Sequence, residues 1–522
     1  MAERVPLILG SVFVTVLVYE FFKPKNAFGD VPGPISRSWI FGNMLELQLY
    51  SPYGQHEFEW QKQFGPVYSI KGCIREERLM VSDTTALWAI LADTGDFRKS
   101  PQHQLINKEV FGNRSILYVH GEKHRHICAV MNPAFSTATI RARVSSLQAC
   151  AQHLSEKWEA RLESQSVAGI FDIFQDIHET TLSGVTDAVM GYDVANDKEF
   201  TKAYKNLVIT GAKRSKIAIV AHAVLLALPS WAIDVLKLFP PREFKTLLKH
   251  CHASQRRADV FLKSQIEARK LGIEPENDLF NVMLDSHKAS AEVSLQEIKD
   301  QFGTITVAGE DTTANSIVWA LYQLAKNPEY QKKIREEFVE AQESKRKEGL
   351  EFYESLPFLN ALVKETLRFY SMVPYSERIA IKDTVIPVSQ PITTRSGQQI
   401  TQIPVKKGQY VQIAISSYHR LPSLWGPDAE EFNPVRWLDD RTKLGDKALG
   451  PYANLLTFLG GPRTCLGWCF AVLEMQIVLC ELVRKFNLGL PENSIIEPAH
   501  AISLVPIHNR GNVELPLCIS CI

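Results

Sequence analysis

A chain of 522 residues has enough apolar side chains for an extensive core, as one large domain or two to three average ones, and its 58 basic residues are balanced by 58 acidic ones. No basic field marks it for nucleic acid. Nine scattered cysteines lack the dense spacing of a secreted disulfide scaffold, so a reducing compartment is expected. Cys518 and Cys521 have the spacing of a metal clip, but no second cysteine or histidine pair completes a zinc site.

From the N-terminus, Val5 to Phe22 is an apolar run broken late by Glu20, near the lower limit of the roughly 17 to 25 residues that span a bilayer. No small-residue cleavage site precedes Lys23 and Lys25, which favours a retained anchor over a cleavable signal peptide. Lysines on its C-terminal side put the rest of the chain in the cytosol. Val31-Pro32-Gly33-Pro34 then fixes an extended path with few backbone donors. The expected division is an anchor over residues 1–24, a proline-rich hinge over 25–44 and one continuous body over 45–522.

Within that body, β-forming runs at Val67–Lys71 and Arg78–Ser82 predict a hairpin. Helical periodicity dominates from Thr84 to Val293, with breaks at Leu228-Pro229-Ser230 and Phe239-Pro240-Pro241. The apolar stretch Ile217 to Leu238, interrupted by His222 and Pro229, reads as a buried or membrane-surface helix pair. Ser294-Leu295-Gln296-Glu297 is a capping box that opens a long helix, and Lys326-Asn327-Pro328 closes it. At its centre, Ala308-Gly309-Glu310-Asp311-Thr312-Thr313 sets small residues, acids and hydroxyls in mid-helix, where they compete with the backbone for hydrogen bonds. Such a local violation points to a functional site. The alternative for Thr312 is a plain back-bond to the preceding turn.

Glu365 and Arg368 stand three apart on one helical face, where an exposed pair is worth only tenths of a kcal/mol. Short β-rich runs such as Gln409–Ile413 follow. The last motif, Phe458-Leu459-Gly460-Gly461-Pro462-Arg463-Thr464-Cys465-Leu466-Gly467, puts one cysteine in a glycine-rich loop before an apolar helical run. Helix dipole, orphan amides and Arg463 all favour a thiolate there, as ligation of a soft metal centre requires. A buried structural cysteine and a hydrolase nucleophile are the competing readings.

The spacing Phe-x-x-Gly-x-Arg-x-Cys-x-Gly resembles the haem-binding loop of the cytochrome P450 family, with every fixed position present. Residues 308–313 resemble its oxygen-binding motif, Glu365–Arg368 with Phe432–Trp437 its Glu-Arg-Arg network, and Gly121–Cys128 its propionate-binding helix. The resemblance implies a mainly α fold with small β-sheets, the triangular-prism cytochrome P450 fold, behind an N-terminal transmembrane anchor. It implies haem b as cofactor, with Cys465 as axial iron ligand, Arg463 on a propionate, Phe458 beside the cysteine, and Gly461 and Gly467 admitting the porphyrin. His124 would bind a propionate and Arg378 the other, while Cys128 stands where a second arginine is expected, with Arg125 nearby. Ala308 and Gly309 would leave room for dioxygen, Asp311 and Thr312 would relay protons, and Glu365, Arg368 and Arg436 would form the structural network, Val435 replacing its usual acid.

The activity so implied is monooxygenation: one atom of O2 enters a C–H bond of a lipophilic molecule. NADPH would act only indirectly, through a separate reductase docking near Lys123 and Arg125, with cytochrome b5 as a second donor, because the chain has no dinucleotide-binding glycine loop. The implied location is the endoplasmic reticulum membrane. The sequence is closest in style to fungal members that modify secondary metabolites, so a terpenoid is the expected substrate, with Phe111, Val307 and Val505 as apolar lining. A reductase-independent isomerase or dehydratase, and a cofactor-free tethered binding protein, are the alternatives.

Overall fold

The computed structural model describes residues 28–522 except 29, 50–51, 93–94, 165–167, 192–196, 198, 204, 207–214, 218, 221–222, 224–241, 274–277, 291–292, 344–347 and 440–447. The apolar run Val5–Phe22, the boundary at residue 24 and most of Ile217–Leu238 lie outside the described residues. Among the described residues no helix is long and apolar enough to cross a membrane. The chain forms two compact units that interleave in sequence. The first comprises Met1–Gln102, Arg214–Pro241 and Tyr375–Ser417, the second His103–Lys213, Arg242–Pro374 and Tyr418–Ile522.

The first unit is built on a five-stranded sheet. Strands are numbered along the whole chain: Val67–Lys71 (β1), Glu77–Val81 (β2), Phe97–Lys99 (β3), Tyr375–Ala380 (β5) and Tyr410–Ala414 (β8) lie in the order β1-β2-β8-β5-β3. Thr384–Thr393 (β6) and Gln399–Val405 (β7) make a separate antiparallel pair. The expected hairpin is present, paired from Val67 opposite Val81 to Lys71 opposite Glu77, and β8 joins β2 in parallel. Edge strand β1 is covered by the proline-rich segment: Ser69 donates from N to Pro32 O and from Oγ to Val31 O, both at 2.8 Å. A Cβ on Gly33 would lie 1.8 Å from Ser69 O, so only glycine permits this approach. The segment read as a hinge is therefore fastened at this point to the sheet. Prolines suit the place because they offer carbonyls and leave no unpaired donor at the edge.

The second unit is mainly helical. Its principal helices are Gly121–Met131 (α1), Val144–Glu163 (α2), Phe174–Met190 (α3), Arg242–Lys270 (α4), Leu295–Lys326 (α5), Pro357–Phe369 (α6) and Trp468–Lys485 (α7). Small sheets complete it: Ala168–Asp172 (β4), Pro516–Cys521 (β12) and Phe486–Gly489 (β9) in the order β4-β12-β9, and Ile496–His500 (β10) with Leu504–His508 (β11). Helix α5, 32 residues long, starts at the expected capping box, in which Glu297 N donates to Ser294 Oγ and Ser294 N to Glu297 Oε2. It packs against α3, α4, α6 and α7 and is buried on nearly every face. Phe302 meets Phe200, Phe261 and Phe280 at centroid distances of 5.8 to 6.4 Å, which pins its first half to α4. Each such pair adds about 0.5 to 1.5 kcal/mol beyond the apolar area it buries. In the second half, Trp319 stacks on Tyr370 at 4.3 Å and donates to Leu504 O at 2.8 Å.

Glu365, Arg368 and Arg436 form one buried network, each at most 1% exposed. Arg368 grips Glu365 with two parallel bonds, Nε to Oε2 at 2.8 Å and Nη2 to Oε1 at 2.7 Å, and Arg436 Nε donates to the same Oε1 at 3.0 Å. Asn433 N and Trp437 Nε1 complete the carboxylate's shell. Val435, at the position of the missing acid, is exposed, and Asp428 instead accepts from Arg436 Nη1 at 2.9 Å. Burial alone would raise the Glu365 pKa, but bonding and charge from Arg368, then Arg436, hold it below the ordinary carboxylate value. A depressed carboxyl stabilises the fold fully above its unfolded pKa of about 4.3 and loses that contribution as pH falls through the folded value, so the network should fail only in acid. Arg368→Ala strands a buried charge, at a cost of about 3 to 5 kcal/mol. Chemical denaturation should show a large fall in midpoint or no folded protein. A wild-type midpoint would mean that the network is superficial.

Candidate active site

The loop that presents Cys465 is short and constrained. A 3-10 turn, Leu456–Phe458, leads into Leu459 at φ 54° and ψ −166°, a region that glycine alone adopts without strain. A second 3-10 turn, Gly461–Arg463, opens on Gly461 at φ 64°, and Cys465 N closes the loop on Phe458 O at 2.9 Å. Two bonds hold the loop to the network. Leu456 N donates to His419 Nε2 at 2.9 Å, while His419 O accepts from Arg368 at 2.6 Å, and Thr457 Oγ1 donates to Leu367 O at 2.7 Å on α6. Burial, then the charges of Arg368 and Arg420, keep His419 neutral, so it can accept through Nε2 while Nδ1 faces Ser371 Oγ at 2.8 Å. Phe458 is buried beside the loop, its ring 6.3 Å from Tyr452 and 6.5 Å from Trp468.

Cys465 is exposed to solvent, yet protein crowds it enough to push its thiol pKa up, against the opposing amide of Gly467. This corrects the electrostatic part of the sequence reading. Arg463 does not hold the thiolate: its Nη2 donates to Val119 O at 2.8 Å and lies 3.0 Å from His120 Nδ1, and its charge acts on Cys128. The protein alone therefore does not lower this thiol's pKa, whereas a bound metal cation would deprotonate it outright. An activated nucleophile needs the reverse shift, and a structural cysteine would be buried, so both competing readings lose support. Cys469, one turn on, is half-buried at the start of α7.

On α1, His124 is buried and its ring nitrogens lie 3.5 and 3.7 Å from Cys128 Sγ. Lys123 and Arg125 are exposed. Cys128, standing where an arginine was expected, thus has the charge of Arg463 close by. Arg378 belongs to the first unit, buried on β5, where Nη1 donates to Ser376 Oγ at 2.8 Å and Glu377 O at 3.0 Å.

The centre of α5 departs from the burial of the rest. Ala308 is exposed and Gly309 and Thr312 are half-buried, while Val307, Glu310, Asp311 and Thr313 are buried. Ala308 and Thr312 are one helical turn apart and share a face. Thr312 Oγ1 makes the back-bond to Ala308 O at 2.9 Å, so its hydroxyl is both satisfied and accessible. Gly309 has another use than the one expected: a Cβ there would lie 2.6 Å from Val185 Cγ2, so it lets α3 approach α5 closely. Asp311 is 2% exposed; Asn315 Nδ2 donates to its carbonyl at 2.8 Å and to Ser503 Oγ at 2.9 Å. Burial and Glu310 raise the Asp311 pKa to about 6, against lowering by His178 and Ser503. That value lies close to neutral pH, where a proton-transfer group works best.

His178, Glu310 and Asp311 offer ligand atoms within 4.8 Å of one another, the one metal-capable group of three found among the described residues. His178 Nδ1 and Glu310 Oε1 are 2.5 Å apart, however, a hydrogen-bond separation. Two ligands of one tetrahedral ion with bonds of about 2.1 Å would stand roughly 3.4 Å apart. The sequence reading missed His178, His419, Thr457 and Asp428, because nothing in their local pattern sets them apart from ordinary helix and loop positions.

An accessible thiol at the end of a strained loop, in one unit with a helix whose open face carries an acid and a hydroxyl, is the layout of a thiolate-ligated redox site. A cytochrome P450 family model matches residues 32–511, and the chain belongs to the cytochrome P450 family. It is 29% identical to cytochrome P450 monooxygenase 205 of Postia placenta over 541 residues, covering 99% of this chain and 98% of that one. It is 28% identical to cytochrome P450 monooxygenase claO of Ampulloclitocybe clavipes over 467 residues, covering 88% and 86%. The protein is accordingly an oxidoreductase of the monooxygenase kind with haem b as cofactor. The residues present fit that group, since Cys465 offers an unoccluded sulfur and Ala308 a small, open wall.

Proposed function

We propose that this protein inserts one atom of O2 into a C–H bond of a lipophilic secondary metabolite, a terpenoid or similar compound, using electrons delivered from NADPH by a separate reductase. The observation that carries the reading is the open face of α5, where accessible Ala308 and Thr312 adjoin a buried Asp311 that titrates near neutrality. When bound, haem supplies the redox-active iron at which dioxygen is reduced and split. Cys465 would hold the iron, and Arg463 and His124 the propionates, with Arg378 assigned the second propionate. Thr312 turns its hydroxyl from the Ala308 carbonyl toward the accessible side and donates a proton there. Asp311 restores that proton from the buried side. Ala308 keeps the wall low for oxygen.

Lipophilic substrate is supported by the apolar character of the neighbourhood: Val307 precedes Ala308 and Phe111 is half-buried. Val307 and Val505 are themselves 5% and 1% exposed, so they back the wall more than they line it. Exposed Lys123 and Arg125 on α1 suit an acidic reductase surface, with cytochrome b5 as a second donor. Residues 1–24 would tether the protein to the endoplasmic reticulum membrane with the catalytic body in the cytosol.

Thr312→Ala should bind haem, substrate and carbon monoxide normally and consume NADPH while diverting electrons to hydrogen peroxide. Asp311→Asn should slow turnover itself by about 100-fold, the low end of what a positioned acid contributes. Product, peroxide and NADPH measured together decide the matter, since wild-type coupling in Thr312→Ala removes that residue from proton delivery. Deleting residues 1–24 should release folded, haem-containing protein from membranes. A truncated chain that cannot fold would assign that segment to the core.

A further inference from the structure

Behind Asp311 lies a buried group of ionisable side chains that the oxidation chemistry has not yet used. His178 projects from α3, Glu310 from α5 and Glu474 from α7, and with Asp311 their exposures are 6%, 0%, 2% and 2%. His178 Nδ1 is 2.5 Å from Glu310 Oε1. Glycines make this proximity possible: a Cβ on Gly184 of α3 would lie 2.4 Å from Glu474 Oε1. Among the described residues, His178 Nε2, Asp311 Oδ2, Asn315 Oδ1 and both Glu474 oxygens are buried with no hydrogen-bond partner. Leaving five such atoms in one place costs on the order of 1 to 3 kcal/mol each, an expense a structural core avoids by using apolar residues.

Three carboxyl groups this close in a dry interior do not all ionise. Burial pushes Glu474 and Glu310 well above the ordinary carboxylate range, Glu310's charge adding to the rise at Glu474, so both keep their protons at neutral pH. Burial likewise lowers His178 to about 4, against the raising influence of Asp311, Asn315 and Asp172, so the imidazole is neutral. A protonated Glu310 donates to Nδ1, which leaves the ring hydrogen on Nε2, and Asn315 acts on the ring as a hydrogen-bond partner. The groups facing the cluster are thus His178 and Asp172 from α3 and the strand before it, Glu310 and Asn315 from α5, Glu474 from α7, and the Ser503 hydroxyl ahead of β11.

We propose that His178, Glu310 and Glu474 form a proton reserve that recharges Asp311 from inside the protein. The proposal rests on the reading of Asp311 and Thr312 given above. When Asp311 has passed its proton to Thr312, the Nε2–H bond of His178 breaks as an O–H bond forms on Asp311. At the same time the O–H bond of Glu310 breaks as N–H forms at Nδ1, and Glu474 then returns a proton to Glu310. One proton moves inward at each bond, no electron changes hands, and a ring flip resets the imidazole. His178 and Glu310 are positioning residues, acting only through Asp311.

The test uses the full-length, haem-loaded protein. Infrared spectra at pH 7 in water and heavy water should show carboxylic acid stretches that Glu310→Gln and Glu474→Gln each remove in part. Absence of any such band from the wild type overturns the reserve. The pH dependence of product formed per NADPH gives the second readout. His178→Gln removes an influence that lowers the Asp311 pKa and should move the limb up, whereas Glu310→Gln removes one that raises it and should move the limb down, each by about one unit, a tenfold change in protonation ratio. A limb that stays fixed in both folded variants also overturns the proposal. If His178→Gln does not fold, Glu310→Gln and Glu474→Gln carry the test, because each is nearly isosteric. Wild-type coupling in Thr312→Ala together with intact carboxyl bands would locate the failure in the assumed role of Thr312 and not in the reserve.

Discussion

One carboxylate, Glu365, held by two arginines out of reach of water, is the constraint on which the rest of this molecule depends. Pairing a buried charge in this way contributes little net stability compared with apolar packing, but it makes every partner obligatory. Those partners include the carbonyls of His419, Ala429 and Glu431, so the arginines organise a long irregular segment as well as a helix. Through His419 and Thr457 the same order reaches the loop that carries Cys465. A backbone as unfavourable as Leu459's persists only where its surroundings over-determine it.

The loop then presents a sulfur whose own protein environment favours the neutral thiol. Charge complementarity is left to the metal centre, so ligand and cofactor stabilise each other in a way that neither the helix dipole nor Arg463 replaces. Helix α5 shows the matching economy of construction. It is buried along most of its length, opens over one turn, and keeps titratable groups in its interior at a cost in stability that oxidation chemistry accounts for.

Much of this was legible in the sequence where a local rule has a single physical solution. The capping box at Ser294, the stop at Asn327, the hairpin to within one residue and the order of groups in the Cys465 loop are of that kind. Long-range substitutions were not legible. Asp428 takes the place of the acid missing at Val435 because chain folding brings it to Arg436, eight residues away. Arg463 turns toward the carbonyls before α1, and Gly309 serves helix packing, since both depend on a neighbour far away in sequence. The interleaving of two compact units likewise depends on contacts that no local periodicity encodes.

The central claim is that Cys465 ligates the haem iron as a thiolate. The most direct measurement is the absorption spectrum of purified wild-type protein, reduced and exposed to carbon monoxide. The account predicts the strongly red-shifted Soret band of thiolate-ligated ferrous haem. A band at the unshifted, imidazole-type position in freshly prepared, folded protein would contradict it.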